Sequence, residues 1–338
     1  MASGDRLAGA GERKSGEDGS GKVCAVRHLF IINPAAGKGE SRRRLEQAVR
    51  GLDCPWEMAY TQKEGDACRY ARAAAETGTP VRIYACGGDG TLNEVVNGAA
   101  GYDNAAVTNV PLGTGNDFLK IFGPDCKALF SDVAALAAGP QAPFDLMDCN
   151  GKLGIGVVCA GVDARIAADV HRYKSLPLVR GIGAYILSLA VNVLFKGILR
   201  PMAVEMGELD WRGETAIICI CNGRYYGGGF MPVGEAMPDD GVLDMLVVPK
   251  VSRFTFLRLI GKYSTGHYRE YPQLIYPHHG QEIRYASLTG RDVTTVVDGE
   301  VMRAPAFTVK LSDKRVNFFY PAGASYQPTM QLDKGNPN

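Results

Sequence analysis

The chain has 338 residues and 46% of them are hydrophobic, enough to bury cores for two compact domains of roughly 100–200 residues each. Its 37 Lys and Arg against 36 Asp and Glu leave a formal charge of +1, which excludes the basic excess of a general nucleic-acid binder. The nine cysteines include no Cys-x-x-Cys pair and no zinc-ligand spacing, and several sit in apolar runs, the pattern of core thiols in a reducing cytoplasm.

Residues 1–22 are rich in Gly, Ser and mixed charge without an apolar h-region, so they read as a disordered tail and not as a signal peptide. From 23 to 150 strand and helix alternate. A β-branched strand at 23–32 precedes a helix at 41–52 with Leu45, Ala48, Val49 and Leu52 at helical spacing. A strand at 56–60 and an Ala-rich helix at 65–77 follow, the helix stopped by Gly78 and Pro80. Then come a buried-type strand at 81–86, a helix at 91–100, a strand at 106–110 and a helix at 127–138. Repeated βα units predict a parallel sheet covered on both faces, with ligands at the carboxyl ends of its strands.

Beyond 150 the texture changes. Strands are expected at 154–159, 202–209, 215–221, 242–248, 282–285, 294–297, 307–311 and 316–320, with turns such as Asp239-Asp240-Gly241 between them. Helices are expected at 164–173, 182–199 and 252–263. The span 151–315 is thus a β-rich second domain, while 316–338 returns to the first domain and ends in a polar, mobile tail. The apolar run 181–199 approaches membrane-spanning length, but Asn192 and Lys196 interrupt it and Gly181 and Gly183 open it. A buried or interfacial helix is the expectation.

Three strand-to-helix junctions carry chemistry. The first is Asn33-Pro34-Ala35-Ala36-Gly37-Lys38-Gly39. It is not a Walker A loop, because Ile32 stands where the first Gly is needed and Gly39 where Ser or Thr is needed. Its small residues still let backbone N–H groups approach an anion, although a simple tight turn explains it equally well. The second is Gly87-Gly88-Asp89-Gly90-Thr91-Leu92-Asn93-Glu94, whose glycines permit close approach of the backbone to phosphates. A carboxylate at Asp89 beside phosphate oxygens requires a divalent cation or a reacting proton between them. Thr91 can cap the helix and bond a phosphate. The bland alternative is a Gly-rich turn. The third junction is Pro111-Leu112-Gly113-Thr114-Gly115-Asn116-Asp117-Phe118. Two such loops on one sheet edge are explained economically by a shared nucleotide site.

These motifs, in this order, resemble the lipid kinases with a diacylglycerol-kinase catalytic domain, a family that includes bacterial diacylglycerol kinases, sphingosine kinases and ceramide kinases. NAD kinases and 6-phosphofructokinases share the Gly-Gly-Asp-Gly element, and the third motif separates the lipid kinases from them. Asn222-Gly223, Gly227-Gly228-Gly229, Pro232, residues 239–244 and Val297-Asp298-Gly299-Glu300 resemble the family's second domain, so the likeness spans about 23–320.

The resemblance implies an N-terminal α/β domain with a parallel sheet, like that of NAD kinase or diacylglycerol kinase. It also implies a second, β-sandwich-like domain and an active site in the interdomain cleft. It implies ATP and Mg²⁺ as cofactors. Asn33, Pro34, Ala35, Ala36, Gly37, Thr61, Gly87, Gly88, Asp89, Gly90, Thr91, Leu92, Asn93, Glu94 and Thr114 would hold ATP, and Asp89 would be needed for Mg·ATP. Asp298 would be the general base, with Glu300 beside it. Asp240 and the carbonyls of Met237 and Val242 match a structural Mg²⁺ site, which Asp117 and Asp145 would link to the nucleotide domain. A carboxylate in reach of the acceptor hydroxyl can take its proton as oxygen attacks phosphorus, which is the chemistry such a kinase needs. Asp298-Gly299 and Asp240-Gly241 are also good turn signals, and a rigid hairpin can present a catalytic Asp.

Diacylglycerol leads as acceptor. A sphingoid base, ceramide, phosphatidylglycerol, an isoprenoid alcohol, a soluble acceptor such as NAD, or a non-catalytic nucleotide-binding regulator are the alternatives. Arg165, Arg172, Lys174, Arg180, Lys196 and Arg200 flank the apolar run against one acid, Asp169. They could dock the chain peripherally on an anionic membrane surface, or simply solvate the ends of a core helix. A homodimer is the default expectation for assembly.

Overall fold

The computed structural model describes residues 13–14, 26–37, 39–113, 115–174 and 182–328. They divide into two units. The first runs to Phe144 and resumes over Asp313–Tyr326, and the second holds Asp145–Ser312.

In the first unit the chain forms β1 (Arg13–Lys14), β2 (Arg27–Ile32), α1 (Gly39–Arg50), β3 (Trp56–Tyr60), α2 (Asp66–Ala75), β4 (Val81–Gly87), α3 (Asp89–Ala99) and β5 (Ala105–Pro111). It continues through α4 (Cys126–Leu129), α5 (Val133–Ala138) and β6 (Gln141–Phe144). Among the described residues seven strands form one sheet, with β3, β2, β4 and β5 side by side and parallel. The C-terminal strand Val316–Phe319 joins it, parallel to β5 and antiparallel to β6. Residues 28–32 of β2 and 83–87 of β4 are buried without a break. This is why they read as continuous apolar runs and not as alternating ones. Within that core the Tyr84 ring stacks on Phe30, and its hydroxyl lies 2.7 Å from His28 Nδ1. Burial, with help from Arg82, pushes the His28 imidazole down to about 4, so it serves this core as a neutral ring.

Two expectations need correction here. Arg13–Lys14, inside the stretch read as a disordered tail, pair antiparallel with β3, and the remainder of 1–22 lies outside the described residues. The single helix expected over 127–138 is two, because Asp132 caps α5 by accepting the Ala135 N–H at 3.0 Å and so starts a new helix.

In the second unit the elements are β7 (Met147–Cys149), β8 (Lys152–Gly154), β9 (Val157–Gly161), α6 (Val162–Lys174) and α7 (Ile182–Val191). After them come β10 (Arg200–Met206), β11 (Leu209–Cys221), β12 (Leu243–Pro249), α8 (Arg253–Tyr263) and β13 (Tyr276–Gly280). The unit closes with β14 (Glu282–Ser287), β15 (Val293–Val297), β16 (Glu300–Ala304) and β17 (Ala306–Leu311). The described strands form one antiparallel sheet of eleven, in the order β16-β15-β9-β11-β10-β14-β17-β7-β8, with β12 on β11 and β13 on β12. The long β11 faces two cores. Ile217, Cys219 and Cys221 pack with Val193, Phe256 and Tyr263, whereas Ile218 and Ile220 pack with Val158, Val204 and Phe307. The period of two in one strand thus supplies both layers.

The expected helix 182–199 is α only to Val191 and then makes a π-helical turn at Asn192–Lys196. No helix among the described residues is long and apolar enough to cross a membrane. The expected strand 154–159 is broken into β8 and β9 at Ile155-Gly156. No disulfide forms among the described cysteines.

Candidate active site

Because β2, β4 and β5 are adjacent and parallel, the loops that leave their carboxyl ends meet on one edge. Two side chains and one close backbone approach interlock them. Asn33 extends the ladder by donating its N–H to the Cys86 carbonyl at 3.0 Å. Its Oδ1 accepts the Ala35 N–H at 2.9 Å, and its Nδ2 donates to Thr91 Oγ1 at 3.3 Å. Gly37, at φ +69, lies so close to the third loop that a Cβ would stand 2.0 Å from the Leu112 carbonyl oxygen. Asp89 accepts the main-chain N–H groups of Asn116 at 2.8 Å and Asp117 at 2.7 Å. Gly115 is needed beside it, since a Cβ there would stand 2.5 Å from Asp89 Oδ2.

Not all the residues expected to hold ATP face this edge. Leu92 and Asn93 are buried in the interior of the unit. Glu94 reaches α2, where it accepts the Ala67 N–H at 3.0 Å. Thr91 does not cap α3. The cap position belongs to Gly88, and Thr91 lies buried in the first turn as the acceptor from Asn33. Pro34 and Ala35 are exposed, Ala36 is half-buried, and Thr61 is tied to the end of β2 through its N–H on the Ile32 carbonyl at 2.9 Å. Gly87 packs against Thr91, and its carbonyl accepts the Leu112 N–H at 3.1 Å. Thr114 and Lys38 lie outside the described residues.

Gly88 and Gly90, like Gly39 at the end of the first loop, differ from the packed glycines Gly37, Gly87 and Gly115. A Cβ on either would meet nothing within 4 Å. Packing does not demand glycine there, and the open space lies at the first turn of α3, where unpaired N–H groups favour phosphate. A nucleotide triphosphate fits this cradle.

In the second unit Asp298 sits on the two-residue turn between β15 and β16, at φ +48, with Gly299 at φ +93. These are type I′ values. Its carboxylate accepts three main-chain N–H bonds: Ile155 at 2.7 Å on Oδ2, and Gly156 and Val157 at 2.9 Å each on Oδ1. The break between β8 and β9 makes those amides available. Asn222 and Gly223 hold the break open from behind by donating their N–H groups to the Gly156 carbonyl, while Asn222 Nδ2 donates to the carbonyls of Asp145 and Ile155. Sequence reasoning missed Ile155, Gly156 and the purpose of Asn222. The paired glycines Gly154 and Gly156 were the available signal, since a Cβ on Gly156 would stand 2.7 Å from Asp298 Oδ1. Glu300, expected beside the base, makes an ion pair with Lys152 at 2.7 Å.

Asp240 lies in the turn between Met237 and Val242 and accepts the Val242 N–H at 3.1 Å. Burial raises its carboxyl to about 6, and the nearby Asp244, Asp145 and Asp239 add to the effect. Asp145 accepts the Gly241 N–H at 2.8 Å, and Asp117, in the first unit, holds Lys120 at 2.5 Å. Among the described residues no three His, Cys, Asp or Glu side chains converge as a metal cage. One carboxylate in acidic surroundings, completed by carbonyls and water, nevertheless suits Mg²⁺, which keeps several waters when bound.

The family model described as the diacylglycerol kinase catalytic domain matches residues 27–149, and that of the YegS C-terminal NAD kinase beta sandwich-like domain matches 156–319. A Pseudomonas aeruginosa protein named "Probable lipid kinase YegS-like" is 31% identical over 231 residues, covering 65% of this chain and 72% of that one. The chain belongs to the diacylglycerol kinase catalytic-domain family of lipid kinases. Within that family, a Bacillus subtilis protein named diacylglycerol kinase is 29% identical over 257 residues, covering 74% of this chain and 82% of that one. A crystal structure titled as a diacylglycerol kinase from Bacillus anthracis matches with a TM-score of 0.64 at 18% identity, over 88% of this chain and 98% of that one, and shares the fold. The lipid-kinase family and the α/β plus β-sandwich-like fold implied by the sequence motifs therefore hold.

Proposed function

We propose that this lipid kinase transfers the γ-phosphate of ATP to a lipid hydroxyl, with diacylglycerol as acceptor and phosphatidic acid as product. The observation that carries the reading is the interlocked loop set of the first unit, in which Asp89 and Asn33 fix three loops while Gly88 and Gly90 face open space. That arrangement pre-forms an anion cradle at a helix start. The diacylglycerol assignment follows the Bacillus subtilis relative's name.

In the reaction the acceptor oxygen bonds to the γ-phosphorus as the bond to the bridging oxygen breaks, and ADP leaves with that electron pair. The hydroxyl proton passes to Asp298, whose three amide bonds fix the direction of its carboxylate. The amides at Gly88 and Gly90 accommodate phosphate oxygens, and Mg²⁺ brought with the nucleotide would offset charge on the transferring group. Asp240, with Met237 and Val242, would hold a second, structural Mg²⁺.

The lipid is met at the inner face of a membrane. Phe195, 81% exposed at the end of the π-helical turn, and Phe254, 79% exposed on α8, stand on segments joined by an Arg253 Nη1 bond to the Leu194 carbonyl at 2.9 Å. Leu194 and Leu257 are exposed beside them. Aromatic side chains spent on solvent are suited to peripheral insertion into lipid.

The test is transfer from γ-labelled ATP with Mg²⁺ to diacylglycerol, ceramide, a sphingoid base, phosphatidylglycerol and an isoprenoid alcohol in mixed micelles, with NAD as control. Labelled phosphatidic acid is the expected product. Label in NAD alone, or nucleotide binding without transfer, contradicts the proposal.

A further inference from the structure

The second unit contains a cavity of about 660 Å³ that the proposed chemistry does not use. Four cationic side chains line it, Arg165, Lys196, Arg200 and Arg291, against one carboxylate, Asp292. It opens where β9 ends at Gly161 and β15 begins at Val293. Asp298 is at the far end of the same β9–β15 ladder, five residues along β15, or about 16 Å at the strand rise. The cavity is therefore separate from the candidate base.

Two of its guanidinium groups, Arg165 and Arg200, are held by main-chain carbonyls and not by carboxylates. Arg165 donates from Nη2 to the Gly197 carbonyl at 2.8 Å and from Nε to the Gly161 carbonyl at 3.3 Å, and its Nη1 is buried with no acceptor. Arg200 donates from Nη1 to the Leu199 carbonyl at 2.6 Å. Arg291 has no hydrogen bond or ion pair among the described residues. Lys196 alone has an acid, Asp169, at 2.5 Å. Burial, and then the charge of Arg200, lowers Arg165 to about 10; burial, and then Arg291, lowers Arg200. Like charges are thus gathered around the desolvated Arg165, at a cost that a bound anion would offset.

We infer that this pocket binds a phosphate-bearing anion. Arg165 and Arg200, fixed by main-chain carbonyls, keep spare N–H donors in a planar fork that matches phosphate oxygens, and the exposed Arg291 adds a third guanidinium at the rim. The volume accommodates a phosphorylated headgroup, and Lys196 follows the exposed Phe195 directly, so a lipid headgroup and a free phosphate compound both have a route in. The site stands on the second unit alone and does not depend on phosphoryl transfer.

The test is calorimetric titration of the full chain with inorganic phosphate, pyrophosphate and dihexanoyl phosphatidic acid, with co-sedimentation on phosphatidic acid vesicles. Wild type is compared with Arg291→Ser and Arg200→Ser, with thermal unfolding as a check on folding. Each substitution is expected to weaken binding about tenfold or more, the loss of one charge-assisted guanidinium–phosphate pair. The substitutions leave any binding by the nucleotide loops untouched. Weakening confined to dihexanoyl phosphatidic acid and vesicles assigns the pocket to a lipid headgroup. Equal weakening for inorganic phosphate or pyrophosphate assigns it to a free phosphate compound. Wild-type affinity for every probe in both folded variants, or no binding by wild type, overturns the inference.

Discussion

The carboxylate of Asp89 accepts the main-chain N–H of Asn116 at 2.8 Å, so the acid of the Gly-Asp-Gly loop fixes the position of the next loop of the sheet. Asn116 adopts φ +69 there, and the Asp117 N–H completes a two-point clasp at 2.7 Å. Asp89 therefore organises these loops without any ligand. Asp89→Asn places an amide group against one of two N–H donors. It should cost about 1–3 kcal/mol of stability without nucleotide present. Urea unfolding of the nucleotide-free protein checks this, and an unchanged midpoint would leave Asp89 with a role in Mg·ATP alone.

Two glycines should respond in opposite ways. Gly156→Ala brings a Cβ to 2.7 Å from Asp298 Oδ1, so it should lower stability by about 1–3 kcal/mol and disturb the candidate base. Gly88→Ala meets no atom within 4 Å and should leave stability within about 0.5 kcal/mol while raising KM for ATP. Thermal unfolding and steady-state kinetics on both variants separate packing from ligand approach.

Acid stability should depend in part on Asp66. The Gln62 N–H holds its carboxyl below the usual carboxylate range, and burial, which pushes the other way, is outweighed with the help of Arg69 and the Lys63 N–H. A depressed folded-state pKa contributes stability that is complete above the ordinary carboxylate range and is lost as pH falls through the depressed value. Asp66→Asn should therefore be less stable than wild type at pH 7, with the gap closing toward pH 2. Unfolding midpoints measured across that range give the curve.

Phe195→Ser with Phe254→Ser should reduce sedimentation with vesicles and leave the unfolding midpoint close to wild type, since both rings are exposed. Vesicle binding at the wild-type level would remove these two residues from the membrane contact.

The first unit was legible because strands buried on both faces leave unbroken apolar runs, as in Leu29 to Ile32, and because glycines mark where those strands end. β13 was not, since Tyr276-Pro277-His278-His279-Gly280 is half exposed and carries a proline, and its pairing with β12 is decided by tertiary context. The gap between β8 and β9 has its cause in Asp298, 143 residues from Ile155, which no local pattern reports. The Gly87–Glu94 motif was visible as a string. The turn of α3 then sends Leu92 and Asn93 inward, so adjacency in a motif did not mean a shared exposure at the loop edge. The cap at Asp132, by contrast, could have been read from Ser131-Asp132 ahead of an Ala-rich segment.

The proposed transfer turns on Asp298 as the group that takes the acceptor proton. The most direct measurement is kcat for phosphate transfer from ATP to diacylglycerol by wild type and Asp298→Asn, with ATP affinity and unfolding measured on the same samples. Asparagine tolerates the positive φ of this turn. With Asp298 as the base, kcat falls about 10²–10⁴-fold with ATP affinity preserved; a folded Asp298→Asn protein with wild-type kcat would contradict that role.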